Sequence, residues 1–118
     1  QTFSEFELII VDDGSIDNSL EIVTKIQDSR IQIVTQLNAG VSVARNKGVS
    51  ISKFNYIAFL DADDWWSINF LEEMYTLISR YNDAVLYASN YYIVKGGSLR
   101  KAPVGLVNDF KEGYINYS

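Results

Sequence analysis

The chain predicts an α/β fold with a mainly parallel sheet flanked by helices, and three observations carry that expectation. Apolar, β-branched runs recur at residues 6–11, 31–35 and 56–60. The segments between them place apolar residues at helical spacing. The connections are short, and two of the runs end in clusters of aspartates. Strands that alternate with helices over short loops form βαβ units, whose crossovers favour parallel pairing.

Taken in order, residues 6–11 make a strong strand that ends in Asp12-Asp13-Gly14-Ser15. Glycine permits a tight turn with positive φ, and Ser15 or Asp17 is suited to cap the next helix. Leu20, Val23 and Ile26 recur at helical spacing, which predicts a helix over about 17–27. Residues 31–35 are a second short strand. A loop at 36–40 then leads into a helix over 41–52, with Val41, Ala44, Gly48 and Ile51 facing inward. The small residues at 44 and 48 let that helix lie close to a sheet. Residues 56–60 read as a third, buried parallel strand. Phe70, Leu71, Met74, Leu77, Ile78 and Tyr81 predict an amphipathic helix over 67–81. A strand at 84–94 follows, then a hairpin turn at 95–98 and a strand near 99–103. Beyond it a short helix is expected around 109–116. No repeat, low-complexity tract or linker divides the chain, so a single, partial domain over 1–118 is expected.

Composition narrows the chemistry. The 118 residues are enough for one small domain, with 47% hydrophobic and 21% charged residues, as in ordinary soluble proteins. A net charge of −5 without a basic run argues against nucleic acid as a partner. The chain holds no cysteine and no histidine. Disulfides, thiolate sites and imidazole bases are therefore excluded, and any metal must be held by oxygen, which favours magnesium, manganese or calcium over zinc. No apolar run approaches the roughly 20 residues of a membrane span and no signal peptide is visible. A cytoplasmic setting is expected, peripheral to the inner face of the membrane at most.

The acidic tip after residues 56–60 is the most informative stretch. Asp61, Asp63 and Asp64 fall within four positions, just past a strand's carboxyl end, where open α/β sheets bind ligands. Two unit charges about 4 Å apart repel by roughly 4 kcal/mol at an effective dielectric of about 20, and a hard divalent cation would relieve that. In an extended segment Asp61 and Asp63 would share a side. A solvated turn that caps the next helix is the plainer alternative. Asp12 and Asp13 end the first strand on the same edge of a parallel sheet, where they suit a base N–H or ribose hydroxyls; a capped strand end is again the alternative. Arg45 offers a planar fork for phosphate or carboxylate, or a salt bridge to a neighbouring aspartate. Trp65 and Trp66 suit stacking on a sugar or base, or covering a core.

Three ordered motifs then stand at matching spacing: Phe-Glu-Leu-Ile-Ile-Val-Asp-Asp-Gly-Ser-Ile-Asp-Asn-Ser at 6–19, Leu-Asn-Ala-Gly-Val-Ser-Val-Ala-Arg-Asn at 37–46 and Phe-Leu-Asp-Ala-Asp-Asp-Trp-Trp at 59–66. Together they closely resemble the family 2 glycosyltransferases, over residues 1 to about 95. The resemblance implies the Rossmann-like GT-A fold and inverting transfer of a sugar from a nucleoside-diphosphate sugar, most often a UDP-sugar, to a hydroxyl acceptor on a glycan or lipid-linked sugar. It implies that Asp13, with Asp12 beside it, contacts the uracil or its equivalent. It also places Arg45 near the nucleotide, Asp61 toward ribose or metal, and Asp63 on a manganese or magnesium ion bound to the diphosphate. A role in surface polysaccharide synthesis is implied by the family alone.

Three departures qualify the match. Family members carry a further strand and helix before the region that matches Gln1, and their catalytic base lies beyond the region where this chain stops. Asp109 and Glu112 are the only late carboxylates, neither matches a family position, and no base is assigned. Ile68 stands where the family usually has proline, which a helix's first turn tolerates. The chain is thus expected to be an internal fragment, inactive alone, with an exposed sheet edge that invites homodimers. An inactive nucleotide- or carbohydrate-binding module is the non-enzyme alternative. A sugar-nucleotide nucleotidyltransferase would need a glycine-rich phosphate loop, and none is present. An EF-hand fails because Trp66 takes the position its glycine needs.

Overall fold

The computed structural model describes residues 1–102. They fall into two compact units, one of residues 1–69 and one that begins at Phe70.

In the first unit, strand β1 (Leu8–Asp12) pairs in parallel with β2 (Ile31–Thr35), in register from Leu8↔Ile31 to Asp12↔Thr35. The short crossover contains helix α1 (Ser19–Thr24). It is shorter than the periodicity of 17–27 predicts. Asp17 already accepts the Ser19 N–H at 3.0 Å, ahead of the first turn. At the other end, Lys25 and Ile26 donate to Ile22 and Val23, three residues back, so the helix tightens and stops. Ile26 is left exposed.

Helix α2 (Val41–Ile51) follows β2 and runs back along β1. Ala44, Gly48 and Ile51 are half-buried as expected, whereas Val41 is exposed. A Cβ on Gly48 would stand 3.6 Å from Val11 Cγ2, an ordinary contact, so the helix lies close to the strand. Two carboxylates that bracket β1 hold α2 at both ends. Glu7, just before the strand, accepts the Lys53 N–H at 2.6 Å and the Ser52 hydroxyl at 3.3 Å. Asp13, just after it, accepts the amides of Ala39 and Gly40. The antiparallel course of α2 against β1 brings Asp13 to the amides just before the helix and Glu7 to the donors just after it.

Residues 56–60 correct the sequence reading. They form no ladder among the described residues, and Tyr56 and Phe59 remain 53% and 55% exposed. An apolar, β-branched run specifies a strand only where another strand offers a free edge beside it. The acidic tip is corrected too. Asp64 N–H donates to the Asp61 carbonyl at 3.0 Å, so residues 61–64 turn with Ala62 and Asp63 at the tip instead of extending. Crowded aspartates favour such turns, which spread their charges into water. The segment after the tip is tied back to the chain start: Thr2 N–H donates to the Ile68 carbonyl at 2.9 Å, and Gln1 Nε2 to that of Ser67 at 2.8 Å.

In the second unit, helix α3 (Phe70–Arg80) carries the expected stripe: Phe70, Leu71, Met74, Leu77 and Ile78 are half-buried. Glu72 and Glu73 in its first turn and Arg80 in its last suit the helix dipole. Tyr87 donates its hydroxyl hydrogen to the Tyr81 carbonyl at 2.6 Å. Of the strand predicted over 84–94, only Tyr92–Lys95 (β3) forms, paired antiparallel with Ser98–Lys101 (β4). Val85 stands fully exposed outside it. The turn between them places Gly96 and Gly97 at φ 57° and 78°, the left-handed pair that a two-residue hairpin requires. The helix expected at 109–116 lies outside the described residues. Among the described residues no helix is long and apolar enough to cross a membrane.

Candidate functional site

The first unit gathers its chemistry at the carboxyl end of the β1–β2 pair. A cleft of about 320 Å³ opens there, with Ile10, Val11 and Val23 among its apolar lining and Asp12, Asp13 and Ser15 among its polar lining. Ala62, from the acidic tip, lines the same cleft. The two acidic motifs, about 50 residues apart in the chain, therefore meet at one opening, beyond the carboxyl end of β1.

The two neighbouring aspartates do different things. Asp12 Oδ1 accepts the Ser15 N–H at 3.1 Å, and its Oδ2 accepts no hydrogen bond among the described residues. Asp13 Oδ1 accepts from Gln36 Nε2 at 2.7 Å and from the Ala39 N–H at 2.9 Å, and Oδ2 accepts from the Gly40 N–H at 2.8 Å. These bonds hold the Asp13 carboxyl below the usual carboxylate range, first through the Gln36 amide. Gln36 carried no signal in the sequence; one amide side chain after a strand does not announce what it will meet.

Arg45 projects from α2 and makes a 2.7 Å ion pair from Nη2 to Asp61 Oδ1, with the two side chains 44% and 52% exposed. Its guanidinium also lies 5.8 Å from the centroid of the Phe59 ring. Two residues that the sequence points to separately are thus one charge pair. Trp66 is half-buried, while Trp65 is exposed. Among the described residues no group of three or more carboxylates is placed to hold a metal. Asp61 and Asp63 lie within one turn and offer a hard cation two carboxylates at most. A magnesium or manganese ion fits such a set when phosphate oxygens and water complete its shell.

A family model described as glycosyl transferase family 2 matches residues 1–115. The chain belongs to that family. Its curated relatives agree: it is 40% identical over 94 residues to glycosyltransferase GlyA of Streptococcus pneumoniae, covering 78% of this chain and 13% of that protein. It is 37% identical over 100 residues to the UDP-Glc:alpha-D-GlcNAc-diphosphoundecaprenol beta-1,3-glucosyltransferase WfgD of Escherichia coli, covering 84% of this chain and 39% of WfgD. It is 38% identical over 95 residues to the cholesterol galactosyltransferase of Borreliella burgdorferi, covering 79% of this chain and 26% of that enzyme. The chain therefore spans 13–39% of the length of these three relatives. No solved structure matches it. The α/β character, the parallel β1–β2 pair and the flanking helices are those of the family's Rossmann-like GT-A fold.

Proposed function

We propose that this chain carries the donor half-site of an inverting, metal-dependent glycosyltransferase that moves a sugar from a nucleoside-diphosphate sugar to a hydroxyl acceptor. One observation carries the reading: Ala62, between the two aspartates of Asp-Ala-Asp, lines the same cleft as Asp12. In this reading Asp12 accepts from the base or ribose through its uncommitted oxygen. Arg45 and Asp61 stand as a preformed charge pair at the diphosphate end. Asp61 and Asp63 supply the protein's share of a divalent cation's ligands, with no imidazole or thiolate to compete. The cation's contribution when bound is to offset charge on the departing nucleoside diphosphate. Trp65, exposed beyond the tip, offers a face for a sugar ring.

UDP as the nucleotide is favoured by relatives whose names specify UDP-Glc, WfgD and WfaP, and the same names favour a lipid-linked sugar acceptor. In this reading the work is done at the inner membrane face, in the assembly of surface polysaccharide. Titration of UDP with and without manganese tests the reading, with Asp63→Ala as the control. Manganese-dependent binding that the substitution abolishes is expected. Binding that is indifferent to both metal and Asp63 would overturn it.

A further inference from the structure

We propose that residues 1–7 form a brace for the acidic tip, with Gln1 and Glu7 as its positioning residues: each holds one foot of the 54–66 segment, and together they set where Asp61 and Asp63 are presented. Glu7 holds the first foot, where its Oε1 accepts the Lys53 N–H at 2.6 Å and the Ser52 hydroxyl at 3.3 Å. Gln1 and Thr2 hold the second. Gln1 Nε2 donates to the Ser67 carbonyl at 2.8 Å, and Thr2 N–H donates to the Ile68 carbonyl at 2.9 Å. The brace is itself fixed to the start of β2. The Arg30 guanidinium lies 4.4 Å from the centroid of the Phe6 ring, and Asp28 holds that guanidinium through bonds of 3.0 and 2.7 Å. Leu8 N–H, next to Glu7, donates to the Arg30 carbonyl at 2.8 Å.

The segment between the feet needs such support. Residues 56–60 form no ladder among the described residues, so no sheet bonds carry position from the fold to the tip. Within the segment, Arg45 holds Asp61 at 2.7 Å, and the Asp64 N–H closes the turn onto the Asp61 carbonyl at 3.0 Å. These bonds shape the tip, and the two feet place it. Fixing both ends of a loop removes most of the arrangements that its middle could sample. That matters for a cation that takes only two carboxylates from the protein, because the cost of ordering them on binding is subtracted from affinity. Neither Gln1 nor Glu7 lines the cleft. Their influence on a ligand there must therefore pass through the segment they hold.

Gln1→Ala and Glu7→Ala each release one foot. Gln1 is exposed, so its truncation removes a tie without opening a cavity. At the usual net strength of one hydrogen bond, each release should raise the open fraction of the tip about five-fold. The readout is amide hydrogen exchange at Asp64, which should speed up by that factor while the amides of the β1–β2 ladder keep their rates. Should Glu7→Ala loosen the ladder as well, Gln1→Ala alone decides. The ligand arm rests on the donor-site reading and titrates manganese with UDP. Gln1→Ala is expected to weaken that binding by the same factor at an unchanged Tm. Unchanged exchange at Asp64 in Gln1→Ala, or equal acceleration in the ladder, would overturn the proposal. So would a loosened tip that binds manganese and UDP as tightly as the parent does. Failure of the unsubstituted chain to bind them would count against the donor reading alone, since the exchange measurement decides the brace without any ligand.

Discussion

Gly14→Ala is the perturbation whose cost the geometry states most directly. Gly14 holds φ 79°, a left-handed conformation that costs an L-residue about 1–2 kcal/mol. The added Cβ would also stand 2.9 Å from Asn38 N and 3.3 Å from its Cβ. The first of these is a backbone atom, so no side-chain rotation relieves it and the 36–40 loop must shift. Overpacking of that kind costs about 1–3 kcal/mol. The sum is roughly 2–5 kcal/mol, against a total stability of about 5–15 kcal/mol for a typical domain. With a urea dependence of about 2 kcal/mol per molar, the unfolding midpoint should fall by about 1–2.5 M. Gly48→Ala is the matched control, because its Cβ would meet only Val11 Cγ2, at 3.6 Å. There the gain in helix propensity should raise stability by about 0.5–1 kcal/mol. Opposite signs at two glycines that face the same strand and its exit would show that close approach, not glycine content, governs this edge. A Gly14→Ala protein within about 0.5 kcal/mol of the parent would refute the reasoning.

Two further outcomes follow from the charges. Arg45→Ala should change stability by under about 1 kcal/mol, since the Arg45–Asp61 pair is half exposed and exposed pairs are worth little, yet it should weaken manganese-dependent nucleotide binding about tenfold; a large stability loss with intact binding would invert the assignment. Asp28 is held down to about 2, first by the hydrogen bond from the Arg30 side chain and next by the Arg30 backbone N–H. Its contribution to stability is therefore fully present above its ordinary value of 3.8 and is lost as pH falls through about 2. Carboxyl carbon NMR should show that midpoint in the parent and a return toward 3.8 in Arg30→Ala; a parent midpoint already near 3.8 would sink the claim.

Much of this architecture can be read along the chain because it is periodic. The parallel β1–β2 pair, the inward Ala44, Gly48 and Ile51 of α2, and the stripe of α3 all follow from face alternation at periods of 2 and 3.6. The Gly96-Gly97 turn is equally local, because left-handed φ at two successive positions is a property of the residues themselves. Family membership was likewise legible, in three short motifs whose order and spacing match.

Residues 56–60 and 84–91 show where that reading stops. Their apolar, β-branched content is a fair description of a strand, but a strand also needs a lateral partner, and composition says nothing about whether a neighbour's edge is free. Side-chain pairing is equally non-local. Asp13 finds Gln36, Ala39 and Gly40 across 23 to 27 residues, and Arg45 finds Asp61 across 16. The sequence by itself determined the kinds of element, the chemistry at the strand ends and the family. Which donors each aspartate meets was decided only when the loop after β2 folded against the end of β1, because hydrogen bonds are satisfied by distance in space and not by position in the chain.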